Sequence, residues 1–135
     1  MPEPRPITPG LFVADPEAPR LIGGTCQVCG KSHFPRGPVC PYCGADACVE
    51  ARFGPDGRLA LFTVVTSRPP GYRGPVPYGF GVVELPGGLL VVSRLAESRL
   101  DCLRPGLAVR LGIEPLFTDE EERPVLAWVF RPEAS

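Results

Sequence analysis

The 135-residue sequence has little histidine and no apolar run long enough to cross a bilayer. A single histidine leaves few ways to build the nucleophile, base and orienting group of a catalytic set. No apolar stretch approaches the ~20 residues that a membrane-spanning helix needs. The opening MPEPRPITPG also lacks the apolar core of a signal peptide. We therefore expect a cytoplasmic protein without a membrane partner.

Positive charge is not in surplus either. The 14 Lys and Arg residues stand against 15 Asp and Glu residues, which gives a net charge of -1 and a pI near 5.8. A dedicated DNA or RNA binder needs an excess of Lys and Arg to contact phosphates. We therefore expect no nucleic-acid partner.

Helix-forming stretches are scarce because proline and glycine are abundant. The chain has 19 Pro and 16 Gly, about a quarter of its residues, and both disfavour helix. The hydrophobic fraction of 44% still allows a packed core. We expect short strands joined by many turns, with an N-terminal arm that is extended or at most one short helical turn at residues 11–14.

Four of the six cysteines stand in two Cys-x-x-Cys pairs, each followed by a glycine. A glycine there can take a positive φ, which lets backbone amides point at the sulfurs. Two such knuckles supply four sulfurs at ~2.3 Å from one ion, the closed geometry of structural zinc. The predicted metal ligands are Cys26, Cys29, Cys40 and Cys43.

A structural zinc ion is favoured over two other interpretations of these cysteines. Four sulfurs could also hold iron, which would make the protein a small rubredoxin-like electron carrier. Two disulfides would require an oxidising compartment. A site with four cysteine ligands has no open position, so we expect the ion to stabilise a loop-rich segment and not to activate water or substrate.

Three further residues could in principle compete as ligands or reactive groups. Cys48 lies five residues after Cys43, and Cys102 lies far along the chain. We expect both to be small buried hydrophobic residues. His33 lies between the knuckles, where we expect a polar loop residue.

After the cysteines, five apolar segments separated by turn signals predict five strands. Five short antiparallel strands fit a small barrel such as the OB-fold, or alternatively a small sandwich. Glycines at 79, 81 and 112 would serve the tight bends of a barrel. The predicted strands are 59–66, 78–85, 89–95, 104–116 and 125–132.

The predicted fold class is therefore mainly β, with a four-cysteine zinc ribbon followed by a five-stranded OB-fold barrel. We expect an N-terminal arm at 1–20, the zinc ribbon at 21–48 and the barrel domain at 49–135. The isolated carboxylates of Glu84, Glu97 and Asp101 have no visible partner and are interpreted as surface charges, so no catalytic residue is expected.

The loop at 68–77 and the residue that follows it are the strongest binding candidate outside the cysteines. Arginines that suit phosphates or carboxylates alternate here with tyrosines that offer rigid contact area. A CoA nucleotide or a partner protein could use them, and so could a simple barrel-closing loop with solvated arginines. The candidates are Arg68, Tyr72, Arg73, Pro77 and Tyr78.

A second candidate lies between the two knuckles, in the segment FPRGP. Phe34 and Arg36 could anchor a protein contact. The other interpretation is that Phe34 packs the ribbon onto the barrel.

The ordered set of segments resembles the family known as domain of unknown function 35, a rubredoxin-like zinc ribbon joined to an acyl-CoA-associated OB-fold. Residues 19–131 carry the resemblance in family order. Its pieces are PRLIGGTCQVCG, FPRGPVCPYCG, GRLALFTVV, VPYGFGVVEL, GGLLVVSRL and LRPGLAVRLGIEPL.

The resemblance implies an accessory subunit of a thiolase-superfamily enzyme, with the catalytic residues on the partner. Such a subunit would bind and stabilise a thiolase or retro-aldolase acting on acyl-CoA thioesters, in steroid side-chain or aromatic degradation, and help to form its CoA-substrate channel. A protein that binds single-stranded nucleic acid remains the alternative, because OB barrels and zinc ribbons both occur in that role.

Overall fold

The computed structural model describes residues 3–15 and 17–133, and within them it is built from strands and one short 3-10 helix. The strands form two sheets, and the 3-10 helix spans Leu100–Cys102. Within the same residues, no helix has the length and hydropathy needed to cross a membrane. The first sheet contains β2 (Phe12–Val13), β3 (Arg20–Cys26), β4 (Ser32–His33) and β5 (Cys48–Phe53). The second contains β1 (Arg5–Pro6), β6 (Asp56–Val65), β7 (Tyr78–Glu84), β8 (Leu90–Leu95), β9 (Ala108–Thr118) and β10 (Pro124–Pro132).

The five long strands of the second sheet close into a barrel. Neighbours run in the order β10-β8-β7-β6-β9, and β9 pairs with β10 to complete the ring. This closure excludes the sandwich and confirms the five-stranded OB-type barrel. The five strands also fall within a few residues of the segments predicted from the sequence.

The expectation of five antiparallel strands is wrong at one junction. β8 and β10 are parallel, with Phe130 opposite Leu95. The reason is geometric, because strand directions can alternate around a closed ring only when the number of strands is even. A five-stranded barrel must therefore contain at least one parallel pair, and here it is β8 with β10.

The barrel interior is filled by alternating residues of its strands. On β9, Val109 and Leu111 are buried while Arg110 is exposed, as the alternation predicts. Leu59, Val83 and Phe130 point into the same core. Alternate side chains of a strand point to opposite faces, so the other half of each strand is left on the outside of the barrel.

One β-bulge changes which side chains of β6 face outward. The register with β7 shifts between Leu59 and Leu61, so Leu59 is buried opposite Val83 whereas Leu61 lies exposed opposite Val82. The bulge carbonyl needs room on the neighbouring strand. A Cβ atom on Gly81 would lie 2.3 Å from the carbonyl oxygen of Leu61, so only glycine fits there.

The other two strand glycines differ in their surroundings. A Cβ atom on Gly79 would lie 2.2 Å from the carbonyl oxygen of Glu97, so this glycine also permits a close backbone approach. A Cβ atom on Gly112 would meet no atom closer than 3.3 Å. The prediction that these glycines allow tight local geometry therefore holds for Gly79 and Gly81 and is not supported at Gly112.

The ribbon is packed on the barrel through aromatic contacts. The Phe34 ring meets the Trp128 ring of β10 edge-on, with centroids 5.5 Å apart, and the Phe12 ring lies 6.1 Å from the same indole. Phe12 and Leu21 also join the buried cluster of the barrel. β5 pairs with β3 from Cys48 to Phe53, so the ribbon sheet continues beyond the predicted boundary at residue 48.

The N-terminal arm is extended, as expected, and it is held to the barrel. β1 runs parallel to β10, and the Ile7 amide donates to the carbonyl oxygen of Leu126 at 2.8 Å. The Arg5 guanidinium donates to Asp119 at 2.7 Å. The arm therefore covers one end of β10.

The close approach at Gly81 predicts a specific effect on stability. Gly81→Ala should lower the free energy of unfolding by about 1–3 kcal/mol, because a backbone carbonyl cannot move away easily. Gly37→Ala is the matched control, since its Cβ atom would meet nothing closer than 4.0 Å. Urea unfolding of both variants checks this, and equal stability of the two would contradict it.

Candidate metal centre and apolar surface

Two knuckles of nearly identical geometry bring the four predicted cysteines together. In the first, the amide of Gly30 donates to the carbonyl oxygen of Cys26 at 2.9 Å, and in the second Gly44 donates to Cys40 at 3.0 Å. Both glycines have positive φ, 78° and 80°, as their position after each pair predicts. The sequence therefore builds the same turn twice.

The four sulfurs have the spacing of a tetrahedral metal site. All four lie within 4.8 Å of one another, and the Cys26–Cys43 and Cys29–Cys40 sulfur pairs are each 3.6 Å apart. A tetrahedral ion with bonds of ~2.3 Å places its sulfur ligands about 3.8 Å apart, so the donor set fits zinc. Four thiolates would fill the coordination sphere of a zinc ion, so the donor set is that of a structural site.

Backbone amides in both knuckles point at cysteine sulfurs and favour the thiolate form that binds a metal ion. The amides of Cys29 and Val28 point at the Cys26 sulfur and lower its pKa from 9.0 to about 6. The Val28 nitrogen lies 3.4 Å from this sulfur, and the Tyr42 nitrogen lies 3.4 Å from the sulfur of Cys40. Amides that favour the thiolate also favour metal binding, because the thiolate is the ligand form.

The three other candidate ligands stay outside this site. His33 is buried in β4 and not in a polar loop as predicted, because its ring packs over the backbone of Gly24. The Gly37 amide donates to its Nε2 at 3.4 Å. Cys48 and Cys102 are half-buried, and burial raises the pKa of the Cys48 thiol.

The candidate loop residues divide between two places. Tyr72 and Tyr78 lie together, with ring centroids 4.7 Å apart, and the Arg68 guanidinium lies 5.9 Å from the Tyr72 ring. Pro77 is exposed beside them. Arg73 instead stacks on Phe117 at 4.5 Å, so the two loop arginines do not converge on one phosphate.

Internal hydrogen bonds fix the shape of this loop. Tyr72 donates its hydroxyl to the carbonyl oxygen of Pro75 at 2.8 Å, and Arg68 donates to the carbonyl oxygen of Gly74. Burial raises the pKa of Tyr72. The loop therefore presents preformed aromatic surface.

The two candidates between the knuckles contact other parts of the protein and not the loop. Phe34 is half-buried against Trp128, which supports its packing role. Arg36 is exposed and pairs with Glu50 of β5 at 3.4 Å.

An apolar groove of about 320 Å³ lies between the N-terminal arm and the barrel. Trp128 and Phe80 line it from the barrel, Ile7 from the arm, and the tyrosine pair from the loop. The sequence predicted only the tyrosines here. The arm residues were missed because their pairing with β10 joins segments more than 100 residues apart.

Beside the groove, a row of apolar side chains faces outward from the barrel, with its two outer members exposed and Val82 half-buried between them. Leu61, Val82 and Val92 lie side by side across β6, β7 and β8. Leu61 is 67% exposed and Val92 is 56% exposed. Phe80, in the next row, belongs to the groove as well. We name the groove and this row together the apolar surface.

Family models match both parts of the chain. Residues 14–48 match the rubredoxin-like zinc ribbon domain of ChsH2, and residues 50–114 match the C-terminal OB-fold domain of ChsH2. A DUF35 domain-containing scaffold protein from Pyrococcus furiosus is 31% identical over 84% of this chain and 83% of its own length. The chain belongs to the domain of unknown function 35 family.

Other relatives are named as parts of enzyme complexes. The benzoylsuccinyl-CoA thiolase subunit BbsA of Thauera aromatica is 28% identical over 87% of this chain and 80% of its own length. A solved structure named Ltp2-ChsH2(DUF35) aldolase has a chain that is 28% identical, with a TM-score of 0.65 and 84% of each chain covered. The family resemblance drawn from the sequence is thus confirmed.

The closed sulfur site predicts the outcome of removing one ligand. Cys40→Ser should weaken zinc binding by about tenfold or more and unfold the ribbon, because metal binding and folding are linked. Cys102→Ser, which changes a cysteine outside the site, should keep the zinc content of the natural protein. Metal analysis and circular dichroism test both, and full zinc retention in Cys40→Ser would contradict the assignment.

The ion pair that anchors the arm predicts a pH dependence. The Arg5 guanidinium and the amides of Glu121 and Arg123 hold the pKa of Asp119 below its ordinary 3.8. A depressed folded-state pKa contributes stability that is complete above the ordinary pKa and lost as the pH falls through the folded pKa.

Asp119→Asn should therefore lower stability at neutral pH and flatten the fall in stability between about pH 5 and pH 2. Asp56→Asn is the control, because its ion pair with Arg110 is mostly exposed and contributes little. Urea midpoints across this pH range test the prediction. If the stability of Asp119→Asn fell as steeply over this pH range as that of the natural protein, the prediction would be contradicted.

Proposed function

We propose that this protein is a non-catalytic accessory subunit that binds and stabilises a thiolase-fold enzyme acting on acyl-CoA thioesters in the cytoplasm. The observation that carries the proposal is the apolar surface, which leaves large side chains such as Leu61 and Val92 in water on a folded domain. Contiguous apolar patches on a soluble domain mark sites of association. Relatives named as a thiolase subunit and as part of an aldolase complex support the same partner class.

The chemistry of the chain supports a non-catalytic role. The zinc ligand set is full, so the ion has no position for water or a substrate carbonyl. The single histidine is buried against the ribbon backbone, away from any nucleophile-and-base pair in the part of the chain that the structure describes. The reacting groups therefore belong to the partner.

The proposal includes a contribution to the partner's CoA-substrate channel. The preformed loop with Tyr72 and Tyr78 offers rigid aromatic surface, and Arg68 adds positive charge at its rim. Arg36 and Arg73 lie away from this place, so the contact we propose is with the acyl end of the thioester and not with its phosphates. Steroid and aromatic acyl groups both suit an apolar lining.

Affinity purification from the native host tests the proposal. The tagged chain should bring down a thiolase-fold enzyme in fixed stoichiometry, and that enzyme expressed alone should be less soluble or less active. The purified chain should not cleave or condense an acyl-CoA thioester by itself. Turnover by the chain alone, or recovery of single-stranded nucleic acid in place of an enzyme, would overturn the proposal.

A further inference from the structure

The apolar surface is continuous across three strands and the groove. In the central row, Val82 of β7 has Leu61 on one side and Val92 on the other. In the neighbouring row, Phe80 lies between Thr63 and Arg94. Since Phe80 and Arg94 both line the groove, a molecule that extends from the groove past Phe80 would also cover the row.

The rim of this surface carries more positive than negative charge. Glu114 is shared by two guanidinium groups, that of Arg94 and that of Arg131 at 2.6 Å. Arg68 lies beside Tyr72 on the same rim. Three arginines therefore lie around one carboxylate, because Arg94 and Arg131 both pair with Glu114 and Arg68 adds a third guanidinium beside Tyr72. A ligand carboxylate would find an unneutralised guanidinium there.

We propose, building on the function proposed above, that the apolar surface is the face that docks on the thiolase-fold partner. The partner would contribute large apolar side chains that cover the row and the arm side of the groove, leaving the tyrosine pair to face the acyl group, and a neighbouring Asp or Glu for the arginine rim. This pairs burial of the row with charge complementarity, which sets the register and speeds association.

Charge also argues against a second copy of this chain as the occupant. A symmetric dimer applies the same patch to itself. The excess arginine charge of one copy would then face the arginine charge of the other, which costs energy as the interface loses water. A partner surface with carboxylates has no such cost.

Two variants test the apolar row. Leu61→Glu and Val92→Glu each place a charge at an exposed position, so folding and zinc content should be unchanged. Each should weaken binding to the co-purified enzyme by about tenfold or more, because a carboxylate would be buried at the interface. Leu100→Glu is the matched control, since Leu100 is 58% exposed but lies on the 3-10 helix and not on the three strands that carry the row.

A third variant tests the charged rim. Arg131→Glu should weaken binding and reduce its dependence on salt, because it removes positive charge beside the groove. Arg52→Glu is the control, as Arg52 is equally exposed but lies on β5 of the ribbon. Binding is measured by surface plasmon resonance at low and high salt with the enzyme recovered from the native host.

The outcomes separate this inference from the function on which it rests. Loss of binding in the row and rim variants, with both controls unchanged, supports it. Unchanged binding in Leu61→Glu and Val92→Glu overturns the docking face while the proposed function stands. A natural protein that binds no thiolase-fold enzyme overturns both. A homodimer of the natural protein that Val92→Glu dissociates would overturn the inference in favour of self-association.

Discussion

Four clustered thiolates organise the architecture of this protein. The ribbon has few buried apolar residues of its own, and its two knuckles bring their four sulfurs to within 4.8 Å of one another. Once held, the ribbon presents Phe34 to Trp128 on the barrel. An ion held by these four sulfurs would have no open position, so it would stabilise the ribbon without activating water or substrate.

The β-bulge of β6 and the N-terminal arm together form the apolar surface on the outside of the barrel. Its bulge directs Leu61 outward, and Gly81 leaves room for the bulge carbonyl. The N-terminal arm, tied by Arg5 to Asp119, forms the other wall of the groove. A four-sulfur site and an outward-facing apolar surface are the two features that the proposed accessory role requires.

Local patterns predicted much of this, and long-range pairing explains what they missed. Cys-x-x-Cys-Gly specifies a turn within five residues, so the metal ligands followed directly from sequence. Alternation placed Val109 and Leu111 inside the barrel correctly. The outward turn of Leu61, the arm beside β10 and the burial of His33 each depend on a partner strand, which a single sequence does not reveal.

If the four cysteines hold a structural zinc ion, no coordination position is left for solvent. Zinc K-edge X-ray absorption on the purified protein measures this coordination. We expect four sulfur scatterers at ~2.3 Å and no oxygen or nitrogen in the first coordination sphere. A coordinated oxygen at ~2.0 Å, which would indicate a position open to solvent, would contradict it.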